Sequence, residues 1–206
     1  MKGQHQEQLA TARRHQILDA AAKVFAERGF HPTTIKDIAR EAGIADGTIY
    51  IYFENKTALL LGILERMRES VQAGADVTAL QGADIRSAMK AYLTHPLMAL
   101  KADNFELFRV VVSEIMVNED LRRLYFERIL EPTLQGAEMV FQYWREKGVI
   151  RPVDVNLTLR AISGVILGLI LQHVMGDGTL ESRWDELPDF LAGLLLDGLG
   201  SDTAND

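Results

Sequence analysis

Cysteine is absent from the 206-residue chain. Its absence excludes disulfides, thiolate metal ligands and a cysteine nucleophile, and it fits a reducing compartment. The longest apolar run, residues 161–175, is interrupted by Ser163, Gln172 and His173, and it is shorter than the roughly 20 residues of a membrane span. The first 16 residues also lack the apolar segment of a secretory signal. These absences predict a cytoplasmic protein that does not bind or cross a membrane.

A basic excess is missing as well, since the net charge is −7. The acidic excess is not uniform along the chain. Residues 1–56 hold eight Lys and Arg against seven Asp and Glu, whereas residues 57–206 hold 14 against 22. A polyanion must therefore be met by the first quarter of the chain, and its affinity will depend on where a few charges point.

Signatures of catalysis are lacking too. The sequence contains no activated nucleophile, no glycine-rich phosphate loop and no paired-carboxylate motif. Its histidines are too scattered for a metal site; they are His5, His15, His31, His95 and His173. We expect neither an enzyme nor a metal or other cofactor.

The sequence does contain helical periodicity, because apolar residues recur at the three- and four-residue spacing of buried helical stripes. The first stripe ends at Gly29 and consists of Ile17, Leu18, Ala21, Val24 and Phe25. Later helices are predicted over residues 84–101, 104–116, 119–147, 154–175 and 186–199. Pro96 and Pro132 should each kink or break a helix, because proline removes a backbone hydrogen bond. The predicted fold class is all-α.

Residues 34–56 predict a helix-turn-helix. Thr34 and Asp37 have the spacing of a capping box, and Gly43 suits the left-handed residue that turns the chain after a short helix. A third helix is expected over about residues 45–52, and a fourth from the N-cap Asn55 toward Gln72. Such a motif places its second helix in the major groove of DNA. The same turns occur in generic three-helix bundles, which the spacing leaves open.

The helix at residues 45–52 carries residue types that suit duplex DNA. Gly47 lets the backbone approach closely, and Thr48 offers a hydroxyl to bases or phosphate and a methyl group to thymine. Tyr50 and Tyr52 can donate hydroxyl protons to phosphates, or they can pack partly into the core with only their hydroxyls in water. Predicted phosphate contacts outside this helix are Thr34 and Lys36, at a helix N-terminus, and Lys56.

The segment TTIKDIAREAGIADGTIYIYFENKTALL, residues 33–60, resembles the DNA-binding signature of the Tet-repressor (TetR/AcrR) regulators. The match covers about residues 14–60. The resemblance implies an N-terminal three-helix DNA-binding domain, a larger helical domain for ligand binding and dimerisation, and a homodimer on a near-palindromic operator. It also implies that the usual DNA-contact positions are Thr34, Lys36, Thr48, Tyr50, Tyr52 and Lys56.

Two positions depart from that signature. Ala45 stands where the family often has a capping serine, which forfeits about 1 kcal/mol of capping. Asp46 stands where a basic residue is frequent. The helix dipole favours an acid in the first turn, so Asp46 either caps the helix or, being repelled by phosphates, accepts from a cytosine amino group. The sequence leaves both interpretations open.

The predicted domains are residues 1–56 for DNA binding and residues 74–206 for ligand binding and dimerisation, linked by a helix over about 55–73. Residues 74–84 have a linker-like composition. Candidate ligand-binding residues are Tyr92, Phe105, Phe108, Arg109, Phe126, Tyr143 and His173, most of which equally suit a plain core. Arg109 would pair with an anionic ligand if it faced inward and would be a solvated charge if it faced outward.

Two apolar helices near the C-terminus are rich in small residues, namely Gly164, Gly168, Ala192 and Gly193. Helices that are apolar around most of their circumference need burial on both sides. The resemblance implies a four-helix interface between two copies, whereas a closed monomeric core is the alternative.

The sequence therefore predicts a ligand-responsive transcriptional regulator, a repressor released from its operator by a small hydrophobic effector. The ADGTIYIYF segment resembles that of family members controlling fatty-acid degradation through long-chain acyl-CoA, which is the expected effector. A multidrug-type cation is the alternative, favoured if Glu106, Glu114 and Glu138 face inward. An effector-independent DNA-organising protein is the other class of function.

Overall fold

The computed structural model describes residues 2–74, 84–102 and 105–199. Every regular element in these ranges is helical, which confirms the all-α prediction. The helices are α1 (Lys2–Arg28), α2 (Ile35–Ala42), α3 (Asp46–Tyr52), α4 (Lys56–Gly74), α5 (Ile85–Ala102), α6 (Glu106–Val117), α7 (Glu119–Tyr125), α8 (Glu131–Glu146), α9 (Val155–Val174), α10 (Gly178–Arg183) and α11 (Leu187–Leu199). A π-helical turn, Phe126–Leu130, precedes α8, and a 3₁₀ turn, Trp184–Glu186, precedes α11. The linker-like stretch falls almost wholly outside the described residues.

Contacts divide the chain into two compact units. The first comprises residues 1–68 and 105–129, and the second comprises residues 69–104 and 130–206. Helix α6 and the elements up to residue 129 thus pack with the N-terminal helices, although 36 or more residues separate them in sequence. The functional domain boundaries that the sequence suggests stay a prediction.

The core of the first unit is one hydrophobic cluster. Its fully buried members come from α1, α2, α3 and α4, among them Ile17, Phe25, Ile38, Ile49 and Leu59. Helices α6 and α7 complete the cluster with Leu107, Val110, Val111 and Leu121. Burying each such side chain contributes roughly 1.5–3 kcal/mol, so this core holds α3 firmly against its neighbours.

Gly62 of α4 permits a close approach in that core. A Cβ atom at this position would lie 3.0 Å from Cε1 of Phe53 and 3.1 Å from Cδ2 of Leu18. The guanidinium of Arg14 lies over the Phe53 ring, 5.0 Å from the ring centroid, and its Nη2 is 3.4 Å from the same Cβ position. The C-terminal end of α3 is therefore anchored by Phe53 between α1 and α4.

In the second unit, α5 packs against α11 and α8 packs against α9. The buried indole of Trp184 donates from Nε1 to the carbonyl oxygen of Leu97 at 3.1 Å. Of the kink or break expected at Pro96, the break is wrong, because α5 continues through it. Leu93 and Leu97 are buried on either side and hold the helix despite the lost hydrogen bond. Pro132 lies in the first turn of α8, after a π-helical turn that replaces the α-helical pattern without ending the helical run.

Helix α9 has 20 residues, longer than the apolar run considered in the sequence, and by length and composition alone it could cross a membrane. Such composition is weak evidence, since core helices of non-membrane proteins share it. Apolar side chains of α9 and α11 are nevertheless exposed within the second unit: Leu157, Val165, Leu167, Phe190 and Leu194. This apolar surface, called the α9–α11 face below, has no cover within the described chain.

Candidate nucleic-acid interface

The N-terminus of α2 is closed by the predicted capping box. The Asp37 amide donates to Oγ1 of Thr34 at 3.2 Å, and the Thr34 amide and hydroxyl donate to Oδ2 of Asp37 at 3.0 and 2.6 Å. Because the Thr34 hydroxyl and amide donate to it, and Arg40 and Arg28 lie beside it, the pKa of Asp37 is lowered to about 2. The hydroxyl proton of Thr34 is therefore already donated to Asp37. A phosphate could accept this proton only by displacing the Asp37 carboxylate.

The turn between α2 and α3 has the predicted geometry. Gly43 has a left-handed φ of 66°, a conformation that costs glycine little. Its amide donates to the Arg40 carbonyl at 3.2 Å, and the Ile44 amide donates to the Ala39 carbonyl at 3.0 Å. These two bonds terminate α2. Nε2 of Gln16 adds a 2.7 Å hydrogen bond from α1 to the carbonyl of the last α2 residue, so the turn is fixed from both sides.

Helix α3 buries one side and turns the other to solvent. Ile49 is fully buried, whereas Gly47 is exposed and has nothing within 4 Å of the position of a Cβ. Tyr50 is 59 % exposed, so it is not a core residue. Tyr52 is half-buried and packs against the core cluster, as the core-packing alternative describes. Thr48 is half-buried. An extended molecule can therefore meet Gly47, Thr48 and Tyr50 on one surface.

The first turn of α3 has no side-chain cap. Ala45 occupies the N-cap position and only its carbonyl is used, accepting from the Thr48 amide at 2.9 Å. The exposed carboxylate of Asp46 receives no hydrogen bond from the described residues, so the capping interpretation of Asp46 is wrong. A carboxylate with free oxygen atoms at the start of this helix is available to a hydrogen-bond donor outside the chain.

The two lysines expected at phosphates are placed very differently. Lys36 is exposed and makes no ion pair within the described residues. Nζ of Lys56 donates to the carbonyl oxygens of Phe30, His31 and Thr33 at 2.7, 3.2 and 2.8 Å and lies 4.7 Å from the Phe30 ring centroid. An ammonium group has three protons, and all three are used here. Lys56 in this arrangement supports the loop before α2.

Four of the candidate ligand residues belong to the first unit. Phe105 is buried with a left-handed φ of 61°, Phe108 is half-buried and Phe126 is exposed. Arg109 is also exposed, and its Nη1 lies 2.6 Å from Oε1 of Glu106. Arg109 thus faces outward, as the solvated alternative describes, and not inward toward a ligand. A ligand role for these residues stays a prediction.

The other three candidates belong to the second unit. Burial raises the pKa of the Tyr92 phenol. The half-buried Tyr143 ring lies 5.8 Å from Nζ of Lys147, and the ring of His173 lies 4.8 Å from that of Trp184. Each therefore has a packing role, and ligand contacts there also stay predictions. Within the described residues no group of three His, Asp or Glu side chains could hold a metal ion.

Sequence reasoning missed two features of this region. Ile51 is 78 % exposed on α3, and its spacing of three residues from Thr48 was a signal that it shares the outer face. Glu114 of α6 is buried and pairs with His31. No local signal reveals that pair, because 83 residues separate the partners in sequence.

An α2–turn–α3 unit that a rigid core supports, with α3 turned outward, defines a helix-turn-helix protein of the kind that reads duplex DNA. The model of the family "Bacterial regulatory proteins, tetR family" matches residues 17–63. A "Fatty acid metabolism regulator protein" from Bacillus subtilis (strain 168) is 31 % identical over 171 residues, which cover 79 % of this chain and 84 % of that protein. The "HTH-type transcriptional repressor KstR2" from Rhodococcus jostii (strain RHA1) is 32 % identical over 194 residues, 93 % of each chain.

Solved structures agree with these relatives. The crystal structure of the transcriptional regulator FadR from Bacillus subtilis in complex with stearoyl-CoA has a TM-score of 0.76 and 28 % identity, covering 90 % of this chain and 98 % of that one. A transcriptional regulator from Saccharomonospora viridis in complex with choline has a TM-score of 0.70 and 26 % identity, covering 93 % and 99 %. The chain belongs to the tetR family of bacterial regulatory proteins and is a DNA-binding transcriptional regulator.

Proposed function

We propose that this protein is a homodimeric repressor that binds a near-palindromic operator and is released by the coenzyme A thioester of a long-chain fatty acid. The outward face of α3 carries the proposal, because the buried Ile49 fixes the helix while Gly47, Thr48 and Tyr50 stay accessible. The proposed DNA contacts are Thr34, Lys36, Asp46, Gly47, Thr48, Tyr50 and Tyr52. The regulator acts in the cytoplasm by binding alone, without a catalytic step.

A second copy of the chain is the proposed cover for the α9–α11 face. Exposed leucine, valine and phenylalanine side chains on these two helices are unfavourable in water. Gly164 and Gly168 have nothing within 4 Å of the position of a Cβ, so another helix can approach them closely. In a two-fold dimer the reading helices would lie about 34–36 Å apart, one turn of DNA.

The similar proteins support different effectors. The relative with 31 % identity is named for fatty-acid metabolism, and the similar FadR structure holds stearoyl-CoA; both favour an acyl-CoA. The choline complex of another similar regulator favours a cation. Of the three glutamates that would attract a cation, Glu114 is buried but is already paired with His31. Glu106 pairs with Arg109, and Glu138 accepts a 3.0 Å hydrogen bond from Nε2 of Gln142. Acyl-CoA is therefore the better-supported effector.

A genomic selection followed by titration tests the proposal. Purified protein, freed of bound small molecules, is offered genomic fragments at low ionic strength, and the retained fragment is labelled for fluorescence anisotropy. We expect stearoyl-CoA to release the DNA, with coenzyme A and stearate at equal concentration as controls that do not. Release by choline would support the cationic alternative. Retained DNA without any ligand response would indicate a DNA-organising protein, and failure to retain any fragment would overturn the proposal.

A further inference from the structure

Ile51 is an aliphatic side chain that α3 turns almost fully to solvent. It is 78 % exposed, whereas Ile49, two residues earlier on the same helix, is completely buried. Transfer of apolar surface out of water is favourable, yet the fold uses none of this side chain for its core. A single exposed isoleucine needs no explanation on an ordinary surface. Here the surface is the outer face of a reading helix.

Helical spacing places Ile51 one turn after Gly47 and Thr48, at intervals of four and three residues. Side chains lean toward the N-terminus of their helix, so Ile51 covers the surface over that turn. Gly47 has no side chain, and the space where its Cβ would stand is open. The result is an apolar spot on the outer face, next to Thr48 by its helical spacing.

Duplex DNA offers one apolar group on its major-groove edges, the C5-methyl group of thymine. An isoleucine side chain has no hydrogen-bond donor or acceptor, so it gains nothing from a phosphate oxygen or a polar base edge. We propose that Ile51 contacts a thymine methyl group in each half-site of the operator, which makes Ile51 a specificity-determining residue. The inference rests on the proposed function and adds a base that the site reads.

Replacement of thymine by deoxyuridine tests this contact, because it removes only the methyl group. The full-length protein and its selected operator are used, and each thymine is replaced in turn at both symmetry-related positions. For the wild type we expect one position at which affinity falls about fourfold per half-site. For Ile51→Ala we expect equal affinity for the two bases at that position.

Two variants serve as controls. Ile51→Val keeps a branched aliphatic side chain and should retain the difference between thymine and deoxyuridine, as should Tyr50→Phe, which removes a hydroxyl only. Thermal unfolding curves for the variants check that each one folds. A wild type with no methyl effect at any position, or an Ile51→Ala variant with an unchanged effect, overturns this inference alone. A wild type that binds no DNA overturns the proposed function as well.

Discussion

Nε2 of His31 lies 2.9 Å from Oε1 of Glu114, and this contact joins the loop before α2 to helix α6. The side chain of Glu114 is 3 % exposed and that of His31 is 77 % exposed. A buried carboxylate is costly unless it is paired. Burial lowers the pKa of the Lys56 ammonium, and the charge of Glu114 partly raises it again. One carboxylate of α6 thus acts on two residues beside the DNA-binding helices.

Removal of the His31 side chain should measure how much the His31–Glu114 pair contributes to stability. We expect His31→Ala to lower the free energy of unfolding by about 1–3 kcal/mol, because it leaves the Glu114 carboxylate buried without a hydrogen bond. Urea unfolding followed by circular dichroism measures the loss. His15→Ala is the matched control, since His15 is exposed on α1 and its side chain has no partner among the described residues; it should change stability by less than about 0.5 kcal/mol. Equal effects of the two substitutions would contradict the prediction.

Asp37 should make stability depend on pH in a defined window. Its pKa is lowered from the ordinary aspartate value of 3.8 to about 2 in the folded chain, chiefly by the hydrogen bonds from Thr34, so the folded state favours the ionised form. The stabilisation is complete above about pH 4 and is lost as the pH falls toward 2. The difference in unfolding free energy between wild type and Asp37→Asn should therefore be constant above pH 4 and shrink below it. Asp46→Asn is the control, because the Asp46 carboxylate receives no hydrogen bond from the described residues; a similar decline for both variants would refute the assignment.

Substitutions of Lys36 and Lys56 should have different effects, the first on DNA binding and the second on stability. Lys36→Ala should reduce the slope of log affinity against log salt by about one unit per subunit and weaken all sequences alike. Lys56→Met should instead lower stability, because three carbonyl oxygens lose their donor, and should change the salt slope little. Anisotropy titrations at several salt concentrations and urea unfolding measure the two effects. A reduced slope for Lys56→Met would mean that Lys56 leaves its carbonyls to bind phosphate.

Asp46 should influence which bases are preferred. Its carboxylate is exposed and unbonded at the start of α3, a position from which it can accept from a cytosine amino group. We expect Asp46→Ala to select operators with relaxed preference at one position per half-site. Binding-site selection with wild type and variant in parallel measures this, and an unchanged preference would refute it.

Gly168 should matter for association more than for folding. Within one chain there is room for a methyl group at this position, so Gly168→Ala should leave the unit folded and even favour the helix by about 1 kcal/mol. In a close-packed dimer the same methyl group would separate the helices. We expect weaker dimers in sedimentation experiments, with Gly47→Ala as a control that leaves association unchanged. Dimers of unaltered strength would place the interface elsewhere.

Local structure was predictable where the signal lies within a few residues. The Thr34–Asp37 box, the left-handed Gly43 and the Asn55 cap, whose Oδ1 accepts from the Ala58 amide at 2.9 Å, each depend on side chains within three residues of the atoms they bind. Helix periodicity likewise placed most helices to within two residues. The short α10 was missed because its cap, Asp177, follows a glycine turn rather than an apolar stripe.

Features that depend on distant parts of the chain could not be predicted. Lys56 looks like a phosphate contact from its place in the signature, but its hydrogen bonds go to carbonyls 23 to 26 residues earlier. Glu114 gives no sign in the sequence that it is buried, because its partner is set by the packing of α6 on α1. Asp46 is a different case. It is the first residue of α3, after the N-cap Ala45, and sequence patterns do not fix a helix boundary to one residue.

The participation of α6 in the first core has a consequence for synthesis and for protein engineering. The ribosome adds Leu107, Val110, Val111 and Leu121 well after the N-terminal helices have emerged. Until then, part of the apolar surface of α1 to α4 stays exposed to water. A chimera that keeps only residues 1–74 of this chain would lack these four core side chains permanently. Grafts that carry residues 105–129 together with the N-terminal 68 should be the ones that fold.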